Sequence, residues 1–214
     1  MTYSGLAEAL RLIVILDVDA ARGRDPAELA GQAAKGGATM LQVRAKRLSA
    51  SDLAKVVRRV IAAAGGVPVT VNDRLDVALA TSASGCHLGQ DDFPIAEARL
   101  MVPPGFILGG SAGNESEARL AAAEGAHYLG IGPIHVTGNK PDAGEAIGVE
   151  GFARIREAAP SLPAVAIGGV TAADVAALLE AGAAGIAVIG AVLGAEDVEA
   201  ATRKMREALK NERR

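Results

Sequence analysis

Short apolar runs rich in β-branched residues recur along the chain at regular spacing, and each predicts a strand. They are Arg11–Asp17, Met40–Lys46, Val67–Asp73, Gly85–Gln90, Phe106–Ala112, His127–Ile134, Pro163–Gly169 and Gly185–Ala191. Between them lie stretches with the apolar spacing of amphipathic helices, rich in Ala, Glu, Arg and Leu. Helix starts are signalled by Ser51-Asp52 ahead of Leu53, by Asn114-Glu115, and by Thr171 with Asp174 three residues on. Glycines at Gly36-Gly37, Gly65-Gly66, Gly125 and Gly182 mark helix ends. The segment Asp197–Arg214 reads as a last helix with a basic end.

Strands that alternate with helices pair in parallel, because each helix is the crossover to the next strand. Such strands are covered on both faces, and Ile13-Val14-Ile15-Leu16 and Ala164-Val165-Ala166-Ile167 are uninterrupted apolar runs accordingly. Eight strand and helix units predict an α/β fold, a TIM (β/α)8 barrel, with residues 1–214 as a single domain. An open doubly wound sheet is the competitor. It calls for a glycine-rich turn after the first strand, where this chain has Asp17-Val18-Asp19.

Composition narrows the class. Three Phe, two Tyr and no Trp leave the core to Ile, Leu, Val and Ala. The single Cys86 excludes a disulfide scaffold and argues against a structural zinc site. A net charge of −3 and few aromatic platforms argue against a nucleic-acid partner. No apolar run reaches the ~18 residues of a membrane span. The N-terminal segment shows no basic stretch followed by an apolar one. The expectation is a cytoplasmic protein without a membrane partner.

In a barrel of this kind the C-terminal strand ends face one mouth. The second strand brings Gln42, Arg44 and Lys46 there on one face, because strand side chains alternate. Polar groups inside a barrel are costly unless a ligand satisfies them, although the same residues suit a solvated strand end. The third strand ends at Asn72-Asp73 and the fourth runs into Asp91-Asp92. Carboxylates beside cations suit Mg²⁺ with a diphosphate; the plainer alternatives are a helix cap at Asp73 and a turn at Asp91-Asp92. Ser111 closes the fifth strand, placed to bond an amine or a phosphate oxygen, or to cap a helix. The long segment His135–Ile147 carries Thr137, Gly138, Asn139 and Lys140 and reads as a lid over an anion or as a surface loop. Gly168-Gly169 and Ile189-Gly190 lie where barrels of this class hold a phosphate on backbone N–H groups. His87 and His127 read as core or wall residues, and Cys86 as a packed thiol.

The motifs Gln42-Val43-Arg44-Ala45-Lys46, Val71-Asn72-Asp73-Arg74, His87-Leu88-Gly89-Gln90-Asp91-Asp92, Gly132-Pro133-Ile134 with Thr137 and Lys140, and Ala166-Ile167-Gly168-Gly169 follow in strand order from the second to the seventh. Together they resemble the thiamine phosphate synthase family. The resemblance implies a TIM-barrel transferase. It would join hydroxymethylpyrimidine diphosphate to a thiazole phosphate, carboxylated or not, and release diphosphate by a dissociative route. It further implies Mg²⁺ on Asp73 and Asp92, diphosphate on Arg44, Lys46, Asn72 and Lys140, and the pyrimidine on Gln42 and Ser111. The thiazole phosphate falls to Thr137, Asn139, Gly168, Ile189 and Gly190, and Arg44, Lys46, Ser111 and Lys140 form the catalytic group. Asn139 stands where the family commonly has Thr, Gly190 where it commonly has Ser, and Gly113-Asn114 where it often has His or Thr. The alternatives are a thiazole tautomerase of the same family, whose members tend to lose these carboxylates and cations, and a non-catalytic paralogue that binds thiamine precursors. The implied partners are two small-molecule substrates, and a homo-oligomer is left open.

Overall fold

A computed structural model describes residues 3–136 and 144–211. Eight parallel strands close on themselves in chain order. They are β1 (Leu12–Asp17), β2 (Met40–Arg44), β3 (Val69–Asn72), β4 (Gly85–Leu88), β5 (Ile107–Ala112), β6 (Tyr128–Ile131), β7 (Ala164–Ile167) and β8 (Gly185–Val188). β8 completes the circle by pairing with β1, Ala187 opposite Ile13. The expected (β/α)8 barrel is what forms, and each strand falls within its predicted run. The runs overshoot at the mouth. β2 leaves the ladder after Arg44 rather than Lys46, because its neighbour β1 ends at Asp17, the partner of Arg44. β4 likewise stops at Leu88 rather than Gln90.

The outer layer holds α2 (Pro26–Gly36), α3 (Ala50–Ala63), α4 (Leu75–Ala80), α5 (Ile95–Met101), α6 (Glu115–Ala123) and α7 (Gly148–Glu157). After β7 a 3-10 turn, Ala172–Asp174, leads into α8 (Val175–Glu180), and α10 (Val198–Asn211) closes the chain. Two further helices carry no clear periodic signal: α1 (Tyr3–Ala9) ahead of β1, and the four-residue α9 (Gly190–Leu193) after β8. Asn114 caps α6 as expected, accepting from Glu117 N at 3.0 Å. Thr171 and Asp174 cap each other's backbone, although the helix they open starts as a 3-10 turn. The start of α3 is a correction. Its cap is Ser49, whose Oγ accepts from Asp52 N at 3.1 Å, and Ser51 already lies inside the helix. Ser49 has the extended backbone (φ −62°, ψ 157°) from which a hydroxyl reaches back to the first turn.

Apolar side chains pack in two shells. The larger fills the space between strands and helices, where Ala30, Ala33, Ala98 and Ala118 are fully buried and let helices lie close to the barrel. The smaller fills the barrel floor with Ile13, Ile15, Met40, Ile107, Val165 and Ala187. Leu6, Ala9 and Leu10 join this inner shell, so α1 and the residue after it plug the bottom. Moving up the inner face, the side chains change from these apolar groups to Gln42, Asn72, His87 and Ser111. That change turns the upper barrel into a polar cavity.

Candidate active site

The cavity opens at the C-terminal strand ends and has a volume of 640 Å³. Gln42, Arg44, Lys46, Asn72, Asp73, Asp92, Ser111, Gly168, Ile189 and Gly190 all line it. Thr137, Asn139 and Lys140, and with them the expected lid, lie outside the described residues.

β2 delivers its residues by alternation. Gln42 is buried, 4% exposed, and faces the cavity. Its carboxamide thus lines the cavity wall, where a ligand can meet it. Arg44 is held from the side. Its Nη1 donates to Asp17 Oδ2, and Asp17 sits at the end of β1 opposite it in the ladder. The other oxygen of Asp17 accepts from the N–H groups of Asp19 and Ala20, both at 2.9 Å. A buried carboxylate satisfied on both oxygens compensates the desolvation of the pair and fixes the guanidinium in direction.

The acidic side of the mouth joins β3 to the turn after β4. Asp73 follows β3 with φ +65°, and its N–H donates to His87 O at 2.8 Å. It does not cap α4: Arg74 holds that position, without a side-chain cap bond. Asp92 Oδ2 accepts from Gly89 N at 2.6 Å, which folds the turn so that its carboxyl meets that of Asp73. Burial, then a hydrogen bond from and repulsion by Asp92, push the Asp73 carboxyl up to about 6; the nearby charges of Lys46 and Arg44 pull the other way. A cation between the two carboxylates would relieve that repulsion. The pair suits a hard divalent ion, and no cluster of three His, Cys, Asp or Glu forms a cage among the described residues. The remaining ligands would then be water and substrate oxygens.

On the far side, β6 and β7 run on into touching loops. Ile134 N donates to Ile167 O and His135 N to Gly168 O, each at 2.9 Å. Gly168 has φ +91°, and a Cβ there would come within 2.6 Å of Pro133. Only glycine fits this bend, which brings bare backbone to the cavity wall beside Ile189 and Gly190.

A family model described as thiamine monophosphate synthase matches residues 12–192. This chain belongs to that family. A thiamine-phosphate synthase of Methanoculleus marisnigri is 50% identical over 200 residues, covering 92% of this chain and 94% of that protein. Another from Moorella thermoacetica is 46% identical over 200 residues, with 92% and 95% covered. Among solved structures, a thiamine phosphate pyrophosphorylase from Pyrococcus furiosus superposes with a TM-score of 0.87 at 37% identity, covering 96% of this chain and 98% of that one. A 3-hexulose-6-phosphate synthase at 22% identity and a TM-score of 0.71 shares the fold alone.

Within this family member, Asp17 and Glu117 support the site without standing out in the sequence, while His87, His127 and Cys86 are packed residues as expected. Asp17, which in the sequence only marks the lack of a glycine-rich turn after the first strand, anchors Arg44. Its one signal in the sequence is a charge that ends an uninterrupted apolar strand. Glu117 of α6 accepts from Gly113 N at 2.7 Å and from the Gln90 amide, tying together the turns after β4 and β5. His87 is a wall residue as expected, but its partners are Ser111 and Tyr128. His127 serves the far end of the barrel, where its Nδ1 accepts from Leu108 N at 2.9 Å. Cys86 is fully buried, its thiol pKa raised first by burial and then by nearby carboxylates.

Proposed function

We propose that this chain is a thiamine-phosphate synthase that joins a hydroxymethylpyrimidine diphosphate to a thiazole phosphate and releases diphosphate. The observation that carries the reading is the Asp73/Asp92 carboxyl pair beside Arg44 and Lys46 at one barrel mouth, in a chain of this family. Arg44, Lys46 and Asn72 grip the diphosphate, with Lys140 from the segment after β6. Gln42 and Ser111 hold the pyrimidine end. Thr137, Asn139, Gly168, Ile189 and Gly190 receive the thiazole phosphate.

The chemistry suits a dissociative transfer. The carbon–oxygen bond to diphosphate breaks first, and the thiazole nitrogen then attacks the pyrimidine cation. Fixed cations at the diphosphate stabilise the charge that develops as it departs, without reorganising during the step. Asp73 and Asp92 would hold Mg²⁺, which when bound supplies further neutralisation of the leaving diphosphate. No strong general base is required. Such a site has to exclude water, which would otherwise capture the cation.

The reading extends to a cytoplasmic enzyme working on small molecules. A lone, buried free thiol fits a reducing compartment, and no helix among the described residues is long and apolar enough to cross a membrane.

The test is a two-substrate turnover assay with purified protein. Thiamine phosphate should form with Mg²⁺ and cease with EDTA. Absence of product under every divalent metal tried would sink the synthase reading. Isomerisation of the thiazole phosphate alone would point to the tautomerase.

A further inference from the structure

Below the charged mouth lies a polar pair that the proposed chemistry leaves unused. His87 of β4 and Tyr128 of β6 both point into the barrel, 9% and 1% exposed. His87 Nδ1 lies 3.0 Å from Tyr128 Oη, and His87 Nε2 lies 3.1 Å from Ser111 Oγ. The ring centroids stand 5.4 Å apart. Neighbouring strands clear space for this arrangement. A Cβ at Gly109 of β5 would run into His87 Nδ1 and the Tyr128 ring, and one at Gly130 of β6 would come within 3.0 Å of His87 Cε1. Two inward positions carry glycine so that one imidazole can reach both a phenol and a serine.

Burial decides the direction of these hydrogen bonds. A phenol has one proton to donate, and a buried donor left without an acceptor loses its hydration for nothing. Burial also raises the phenol pKa, so the proton stays on. Among the described residues, His87 Nδ1 is the hydrogen-bond partner of Tyr128 Oη. Tyr128 therefore donates and Nδ1 presents its lone pair. The imidazole is then neutral with its proton on Nε2, and that N–H donates to Ser111 Oγ. With a lone pair already engaged from behind, Ser111 has its own O–H to give, and it stands at the cavity wall.

We propose that Tyr128 and His87 are positioning residues that set Ser111 as a hydrogen-bond donor toward an acceptor atom of the bound pyrimidine diphosphate. The proposal rests on the synthase reading only for the identity of that ligand. The chain Tyr128, His87, Ser111 rules out the opposite assignment, in which the serine gives its proton to His87 and only accepts from the ligand.

The test joins imidazole ¹⁵N NMR to kinetics. In the unmodified protein at pH 7.5, the His87 signals should show a protonated Nε2 and a bare Nδ1. Tyr128→Phe keeps the ring and removes the proton, so the Nδ1–H form should appear. In that variant kcat/KM for the pyrimidine diphosphate should fall about tenfold, the scale of one hydrogen bond, while KM for the thiazole phosphate stays within about twofold. Ser111→Ala added to Tyr128→Phe should then cost little more than Ser111→Ala alone, since both act through one hydroxyl. A proton on Nδ1 in the unmodified protein would overturn the proposal, and so would equal losses for both substrates in Tyr128→Phe. The NMR measurement needs neither turnover nor a folded variant. A protein that makes no product but shows the expected tautomer would refute the synthase and leave the relay standing.

Discussion

Asp73 follows β3 in the left-handed region, which Asp and Asn tolerate better than other side chains, with its carboxyl against that of Asp92. Its folded pKa of about 6 exceeds the 3.8 of an unperturbed aspartate, so the folded chain binds the proton more tightly than the unfolded one. The stabilising contribution of this group is therefore fully present below about pH 3.8 and lost as pH rises through about 6. Asp73→Asn keeps the backbone preference and removes the repulsion. It should raise metal-free stability at pH 8 by about 1–2 kcal/mol, a value discounted from the full shift because the group is partly exposed. Urea unfolding at pH 8, 6 and 4 should show the gain fading as pH falls. A gain independent of pH would assign the effect to packing. Arg44, Lys46, Asp73 and Asp92 were legible from sequence because strand alternation and strand ends place them. The tie between Arg44 and Asp17 was not, since it spans 27 positions and depends on the register in which β1 and β2 pair.

At the scale of elements, strand runs were easier to read than helix starts. A continuous apolar run has one reading when helices flank it, whereas Ser49 and Ser51 both offer a hydroxyl ahead of Leu53. The choice depends on which of the two keeps an extended backbone. Ser49 does, and it also holds the relation to Asp52, three residues on, that a reciprocal cap needs. Ser49→Ala should cost about 1 kcal/mol, and Ser51→Ala should stay within about 0.5 kcal/mol. Thermal unfolding of the two variants distinguishes them, and the reverse order would restore Ser51 as the cap. The other unread elements, α1 and α9, are too short for a periodic signal. α1 exists because the barrel floor needs a lid of apolar side chains.

Across the whole molecule, floor and mouth divide stability from chemistry. The floor is apolar and closed by Leu6, Ala9 and Leu10, and the mouth concentrates the carboxylates, cations and bent glycine backbone. Leu10 is fully buried at the floor, so Leu10→Ala should destabilise by about 2–5 kcal/mol. Its KM values and kcat at 25 °C should remain within about twofold of the unmodified enzyme. Denaturant unfolding and steady-state kinetics on one preparation check both halves. A large fall in kcat with intact folding would show that the floor packing reaches the site.

By itself the sequence determined the barrel, the order of its strands and the residues each strand end offers to the mouth. Those features are local: apolar runs, a period of two along a strand, and crossover helices that force parallel pairing. It also carried the motifs by which the family is recognised. The tertiary structure decided which of the offered residues meet. Closure set Asp17 against Arg44 and folded Asp92 onto Asp73. It also stacked Ser111, His87 and Tyr128 from three successive strands into one line. Hydrogen-bond direction and shifted pKa values arise from burial and from neighbours distant in sequence, and those exist only once the barrel is shut.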